Sequence, residues 1–147
     1  ATAGVSVDYV KPHGALYNDM MADAGIRRTV METVAGYPKS LRLMLQATPD
    51  AALQRREADD CSLSLLLEAF ADRCYDDDGR LLSRRKAGAV HDRSRMLEQV
   101  RQLAGDGTVT TVSKKILTLD VDTLCVHGDN AEGVAAIREI RALLADG

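Results

Sequence analysis

The chain lacks most of the local signatures that announce a function at sight. It has no G-x-x-x-x-G-K-[ST] loop and no G-x-G-x-x-G fingerprint, so no short motif shows nucleotide binding. Its histidines and cysteines have no structural-zinc spacing, which argues against a structural metal, and no G-x-S-x-G elbow offers a nucleophilic serine. Cys61, Cys74 and Cys125 form no C-x-x-C pair and cannot all pair within the chain, the pattern of reduced thiols in a reducing compartment. No apolar run is long enough to span a bilayer, and no charged-then-apolar leader opens the chain. A soluble, cytoplasmic protein with no membrane partner is therefore expected. A charge excess of one sign is missing too: 19 Lys and Arg stand against 22 Asp and Glu. The basic pairs Arg27-Arg28, Arg55-Arg56, Arg84-Arg85 and Lys114-Lys115 are scattered and mostly neighboured by acids, as on ordinary solvated faces. A nucleic-acid footprint needs clustered positive charge, so nucleic acid is not an expected partner.

What is present is an alternation of strand and helix patterns over 147 residues, a length suited to one domain with a real core. Val5–Val10 reads as a strand, and Asp19–Ala35 as a helix stopped by Gly36-Tyr37-Pro38. Leu41–Leu45 is a second strand, and Pro49-Asp50 opens a polar helix that runs to about Asp59. Leu63–Leu67 has the continuous apolar pattern of a strand buried on both faces, followed by a long loop from Glu68 to Ala87. Asp92–Ala104 has a clean helical period. Thr108–Val112 and Ile116–Leu119 suggest a hairpin, Thr123–Val126 a strand, and Ala131–Leu144 a closing helix. The alternation predicts an α/β domain with a mainly parallel sheet.

In such folds ligands bind beyond the carboxyl ends of the strands, which selects the loops after the first, third and last strands. Lys11-Pro12-His13-Gly14 sets a cation and an imidazole beside a glycine that lets a ligand approach the backbone. The same residues also suit a solvated Pro-Gly turn, and Asn18 suits a helix cap. Glu68, Asp72 and Arg73 bring two carboxylates and a guanidinium to a strand end, either as general base and cation or as an Asp72–Arg73 ion pair. Asp76-Asp77-Asp78-Gly79 lacks the ligand spacing of a calcium loop and reads as a polar turn. In His127-Gly128-Asp129, Asp129 with Glu132 resembles a capping box, while the same helix start offers an anion site. His127 has no capping role there and is singled out by its placement. Lys11–Gly14 and His127–Asp129 are expected to line one active site.

Four segments together resemble the LamB/YcsF family: VDYVKPHGALYN (Val7–Asn18), LLEAFADRCYDDDGRLLSR (Leu66–Arg84), GAV (Gly88–Val90) and DTLCVHGDN (Asp122–Asn130). They fall in the family's order and spacing across nearly the whole chain. The resemblance implies a β/α barrel-like domain of the deacetylase and glycosidase type, with residues 1–147 as its C-terminal part, lacking the N-terminal strands. It implies the A component of an ATP-dependent 5-oxoprolinase, which hydrolyses 5-oxo-L-proline (pyroglutamate) to L-glutamate with ATP, and magnesium, as co-substrate. The implied partners are subunits B and C.

Carried over by position, the implied catalytic residues are His13, Glu68, Asp72 and His127. The implied substrate- or phosphate-binding residues are Lys11, Gly14, Arg73, Arg84, Gly128 and Asp129. Within the family pattern, Gln46-Ala47-Thr48 replaces a small-residue turn and Ser83 replaces a proline before Arg84. Gly88–His91 is one residue short. Two other readings are a non-catalytic remnant that binds partner subunits or a small carboxylate, and a metal-dependent amide or acetyl hydrolase using His13 and His127.

Overall fold

The computed structural model describes residues 4–145. They form two compact units, the first comprising residues up to 46 together with 50–67, the second residues 47–49 together with those from 68 onward. Among the described residues no helix is long and apolar enough to cross a membrane. Cys61, Cys74 and Cys125 form no disulfide among the described residues.

In the first unit the expected strand Val5–Val10 shrinks to β1, Tyr9–Val10. The reason is pairing: Tyr9 and Val10 pair with Arg42 and Leu43 of the parallel strand β2 (Arg42–Gln46), whereas Val5 and Val7 are exposed. The single helix expected over Asp19–Ala35 is two, α1 (Gly14–Ala22) and α2 (Ala24–Ala35). Asp23 adopts an extended backbone between them, and its carboxylate accepts a 2.9 Å hydrogen bond from the Ile26 amide, capping α2. Apolar spacing runs through the break because both helices bury a methionine, Met20 and Met31. Asn18, expected as a cap, lies exposed within α1 instead.

The first turn of α1 follows β1 closely, and Gly14 there has φ +63° with open space where a Cβ would stand. The backbone, more than a close neighbour, therefore calls for glycine. Helix α3 (Ala51–Asp59) packs on α2. Arg27, expected on a solvated face, is buried there: it grips Glu57 through Nε (2.6 Å) and Nη2 (2.9 Å) and donates through Nη1 to the Met20 carbonyl at 3.1 Å.

Strand β3 (Leu65–Phe70) starts and ends later than the expected Leu63–Leu67. Its residues up to Leu67 belong to the first unit and those from Glu68 onward to the second, which also holds β6 (Thr123–Cys125). Within the second unit Glu68, Ala69 and Phe70 pair in parallel with Thr123, Leu124 and Cys125. Glu68, Ala69 and Phe70, expected to open a loop, thus belong to the strand, and the loop begins at Ala71. Helix α4 (Arg93–Asp106) is capped by the Asp92 carboxylate and ends at Gly107 in the left-handed conformation. The expected hairpin is present as the antiparallel strands β4 (Thr108–Thr110) and β5 (Ile116–Thr118).

The single closing helix is again two, α5 (Ala131–Ala135) and α6 (Ile137–Ala145). Gly133 in α5 sits so close to β6 that a Cβ would lie 2.7 Å from Val126 Cγ1. The core of this unit is Ala71, Met96, Leu97, Val100, Ala136 and Ile140, the apolar stripes of α4 and α6 closing over the end of β3.

The Arg27–Glu57 pair makes a stability prediction. Its partner holds the Glu57 carboxyl below the ordinary carboxylate range through the hydrogen bond, against the opposing effect of burial. A lowered folded pKa contributes stability that is present above the unfolded pKa and lost as pH falls through the folded one. Glu57→Gln is expected to cost about 2 kcal/mol in urea unfolding at pH 7, with the deficit shrinking at pH 3. Equal urea midpoints for the two proteins at pH 7 would contradict it.

Candidate active site

Parallel register builds the site. Phe70 of β3 stands opposite Cys125 of β6, so the residues two further along each strand, Asp72 and His127, leave the sheet side by side. His127 Nδ1 lies 3.0 Å from Asp72 Oδ1, and the His127 amide donates to Oδ2 at 3.3 Å. Asn130 Nδ2 donates to the same Oδ2 at 3.3 Å. The His127 ring stacks on Phe70, centroids 5.3 Å apart, which fixes its plane.

Burial of Asp72, 1% exposed, disfavours its charge. The hydrogen bond and charge of His127, the Asn130 amide and the His127 backbone outweigh that effect and keep the carboxyl below its ordinary pKa. An ionised carboxylate only accepts, so Nδ1 is the nitrogen that donates to Asp72, and in a neutral ring the acceptor is Nε2. The arrangement is that of an imidazole oriented by a buried carboxylate. Asp72 is accordingly bound to His127 rather than paired with Arg73.

Arg73 and Arg84 have separate environments. Arg73 is buried and spends its guanidinium on the bend that follows, donating to Leu82 O (2.7 Å) and Ala89 O (3.3 Å). Burial, and secondarily the nearby Arg84 charge, lower its pKa. Arg84 is exposed and pairs through Nη1 with Asp129 Oδ2 at 2.5 Å. The capping box read into Asp129 and Glu132 is absent. Asn130 is the cap of α5, its Oδ1 accepting from Gly133, while Glu132 accepts from the Arg93 amide. With five residues and an occupied cap, α5 also gives no support to an anion site at its start. Gly128 is exposed between His127 and Asp129. Glu68 is 1% exposed within β3, a strand residue rather than a loop residue.

A cleft of about 430 Å³ opens here, lined among others by Asp72, Arg84, His91, Asp129, Asn130 and Glu132. His91 and Asn130 are not among the residues that the sequence singles out. Asn130 closes the DTLCVHGDN segment, and a polar residue three beyond the histidine was its signal. His91 lies in the shortened Gly88–His91 stretch, with nothing local to mark it. Asp76–Gly79, read as a polar turn, is one: Asp76 Oδ1 accepts from the amides of Asp78 and Arg80.

Lys11, His13 and Gly14 belong to the first unit. Lys11 Nζ lies over the Tyr17 ring, 5.9 Å from its centroid. His13 is the N-cap residue of α1, exposed and making no side-chain capping bond.

The model of the LamB/YcsF family matches residues 1–147. The A subunit of a 5-oxoprolinase from Chromohalobacter salexigens is 50% identical over 139 residues, covering 94% of this chain and 56% of that protein. A second relative, also named as the A subunit of a 5-oxoprolinase, comes from Pseudomonas putida. It is 52% identical over 142 residues, 96% of this chain and 55% of its own length. Among solved structures, a lactam utilization protein from Thermus thermophilus aligns with TM-score 0.82 and 27% identity, over 98% of this chain and 57% of its own. The α/β architecture is thus shared with that protein, and the chain spans a little over half the length of the relatives it matches.

The lowered Asp72 pKa predicts acid sensitivity. Its stabilisation is complete above the ordinary carboxylate pKa and disappears as pH falls through the folded value. Asp72→Asn is expected to cost about 1–3 kcal/mol at pH 7 and to flatten the loss of stability below about pH 4. A variant whose stability-against-pH curve overlays the parent's would show that Asp72 is not held ionised.

Proposed function

This chain belongs to the LamB/YcsF family, and from that membership we propose that it takes part in hydrolysing 5-oxo-L-proline to L-glutamate, coupled to ATP hydrolysis and in concert with subunits B and C. The observation that carries the reading is the hydrogen bond between half-buried His127 and buried Asp72, a residue that lines the cleft, together with the names borne by the relatives. A five-membered lactam is a resonance-stabilised amide, and water opens it slowly. Transfer of a phosphoryl group from ATP to the lactam oxygen would make the ring carbon electrophilic. Water then adds to that carbon, and a base must take its proton.

His127 Nε2 is suited to that task, because Asp72 fixes the ring and stabilises the imidazolium that forms. The same imidazolium returns a proton to the ring nitrogen as the C–N bond breaks, and a second water then cleaves the resulting γ-glutamyl phosphate to L-glutamate and inorganic phosphate. Asp72, a candidate water activator on sequence grounds, acts in this scheme as a positioning group: it is buried and committed to His127. Arg84 can exchange Asp129 for a substrate carboxylate or a phosphoryl oxygen, since both partners are exposed. Arg73, committed to two carbonyls, braces the bend instead. Magnesium–ATP enters as co-substrate. Lys11, His13, Gly14, Glu68, Gly128 and Asp129 stay in the proposal on the resemblance of their motifs.

The test is 5-oxoproline-dependent ADP release by the full-length protein mixed with subunits B and C. His127→Ala and Asp72→Asn are each expected to lower kcat at least ~100-fold, whereas Arg84→Ala raises KM more than it lowers kcat. Unchanged turnover in both His127→Ala and Asp72→Asn would sink the assignment.

A further inference from the structure

The second unit has another cavity, of about 390 Å³, and none of the residues assigned above to ring opening lines it. Its walls include Arg95 and Glu98 of α4, Val112 and Lys114 of the turn between β4 and β5, and Cys74. Two cations from separate elements, Arg95 and Lys114, therefore meet at one space. Among the described residues neither side chain makes a hydrogen bond or an ion pair. Their charges reach the same atom. Burial pushes the Cys74 thiol up, and Arg95, the Tyr75 backbone, Lys114 and Arg73 pull against it. One carboxylate, Glu98, shares the lining, and so does His91, whose ring burial keeps neutral near pH 7.

The turn that carries Lys114 is pinned. The Thr111 amide donates to the Lys115 carbonyl at 2.8 Å, the Lys114 amide to the Thr111 carbonyl at 3.0 Å, and the Val112 amide to the Tyr75 carbonyl at 2.9 Å. The Asp77 carboxylate accepts from the hydroxyls of Thr111 and Ser113, while Lys115 Nζ donates to the Asp77 carbonyl at 3.1 Å. Adjacent lysines thus divide: Lys115 is tied to backbone, and Lys114 is left at the cavity. Lys114 holds φ +73°, a conformation that favours glycine, so backbone preference does not explain a lysine there. Other polar groups of the lining are spent within the protein. Thr110 Oγ1 donates to Gln102 Oε1 at 3.1 Å, and the Gln99 amide is held by the carbonyls of Phe70, Ala71 and Arg73. The uncommitted donors are the two cations.

We propose that this cavity binds a phosphate group, free or as the ester of a small molecule, between Arg95 and Lys114. The two cations differ in a way that suits phosphate: a guanidinium fork grips two oxygens, and an ammonium takes a third as a point charge. A carboxylate has two oxygens and a single charge, and Glu98 already offsets one cation, so it is held less well. The volume leaves room beside a phosphate for an organic part, against the apolar surface of Ala87 and Val112. This site is independent of the ring-opening reading, because it uses none of that reading's residues.

The experiment titrates the ¹⁵N-labelled full-length protein with inorganic phosphate at pH 7 and constant ionic strength. It follows the Arg95 side-chain signal and the backbone amides of Val112 to Lys115. Saturable shifts are expected at both elements, and Arg95→Gln and Lys114→Gln are each expected to weaken binding ~3–10-fold. Both side chains are exposed and uncommitted among the described residues, so these variants keep the fold. Glu98→Gln is expected to tighten binding about twofold, and acetate to bind at least ~3-fold more weakly than phosphate. Arg84→Ala, at the other cleft, leaves these signals and their affinity unchanged. Ribose 5-phosphate separates the two sources of the group: tighter binding than inorganic phosphate supports an ester, and equal binding supports the free ion. Shifts that do not saturate overturn the proposal. So does acetate that binds as well as phosphate, or an equal loss in Arg101→Gln, which removes an exposed charge of α4 outside the cavity and so reports net charge alone.

Discussion

A strand that leaves its sheet must find new partners for its backbone, and the end of β3 finds them in buried side chains. The Gln99 amide gathers the carbonyls of Phe70, Ala71 and Arg73, while the Tyr75 hydroxyl takes the Phe70 amide at 2.8 Å. The carbonyl of Asp72 accepts from the His91 amide. Unmatched peptide groups at this depth would each cost on the order of 1–3 kcal/mol, so the bend has little freedom to relax. Everything chemical in the second unit hangs from it. Asp72 can be buried and ionised because the chain around it is already satisfied, and His127 is held because Asp72 is. Burial also pushes the Tyr75 phenol up, so that hydroxyl remains a neutral member of the scaffold.

Two arginines illustrate how environment divides labour among like residues. Both lie in the same segment, LLEAFADRCYDDDGRLLSR, and nothing in their side chains distinguishes them. Arg73 follows a buried strand and is drawn inward, where its planar donors match the carbonyls of Leu82 and Ala89. Arg84 comes after the polar turn at Asp76–Gly79 and stays at the surface. A guanidinium with its donors filled by backbone is a brace. One facing a single exposed carboxylate can trade partners.

Much of the architecture was legible in the residues, and the misreadings have physical causes. Strand–helix alternation and the hairpin were plain from period and turn chemistry, as was the prominence of His127 at a strand end. The extent of β3 was misread because Glu68 looks like a loop residue, yet its place in the register keeps it in the sheet. Both helix breaks escaped notice for one reason: apolar period persists through Asp23 and through Ala136, since the elements on either side bury the same face. The capping role went to Asn130 rather than Asp129 because Arg84, 45 residues away in sequence, claims the aspartate. Gln99 and His91 were invisible for a deeper reason. Their contacts, with carbonyls of the bend and with each other, are tertiary and leave no local pattern in a sequence.

The Arg84–Asp129 pair has a consequence for how ligands of different charge would be weighed. Asp129 is a tethered anion already seated on the cation, so any incoming carboxylate or phosphoryl group must displace it and not merely arrive. Net attraction at that point is the difference between two anions, which compresses the advantage of simple negative charge. Both side chains are exposed, so added salt screens the resident and the visitor together. Discrimination at that point would then fall to features that a tethered carboxylate cannot imitate, namely shape and the direction of hydrogen-bonding groups.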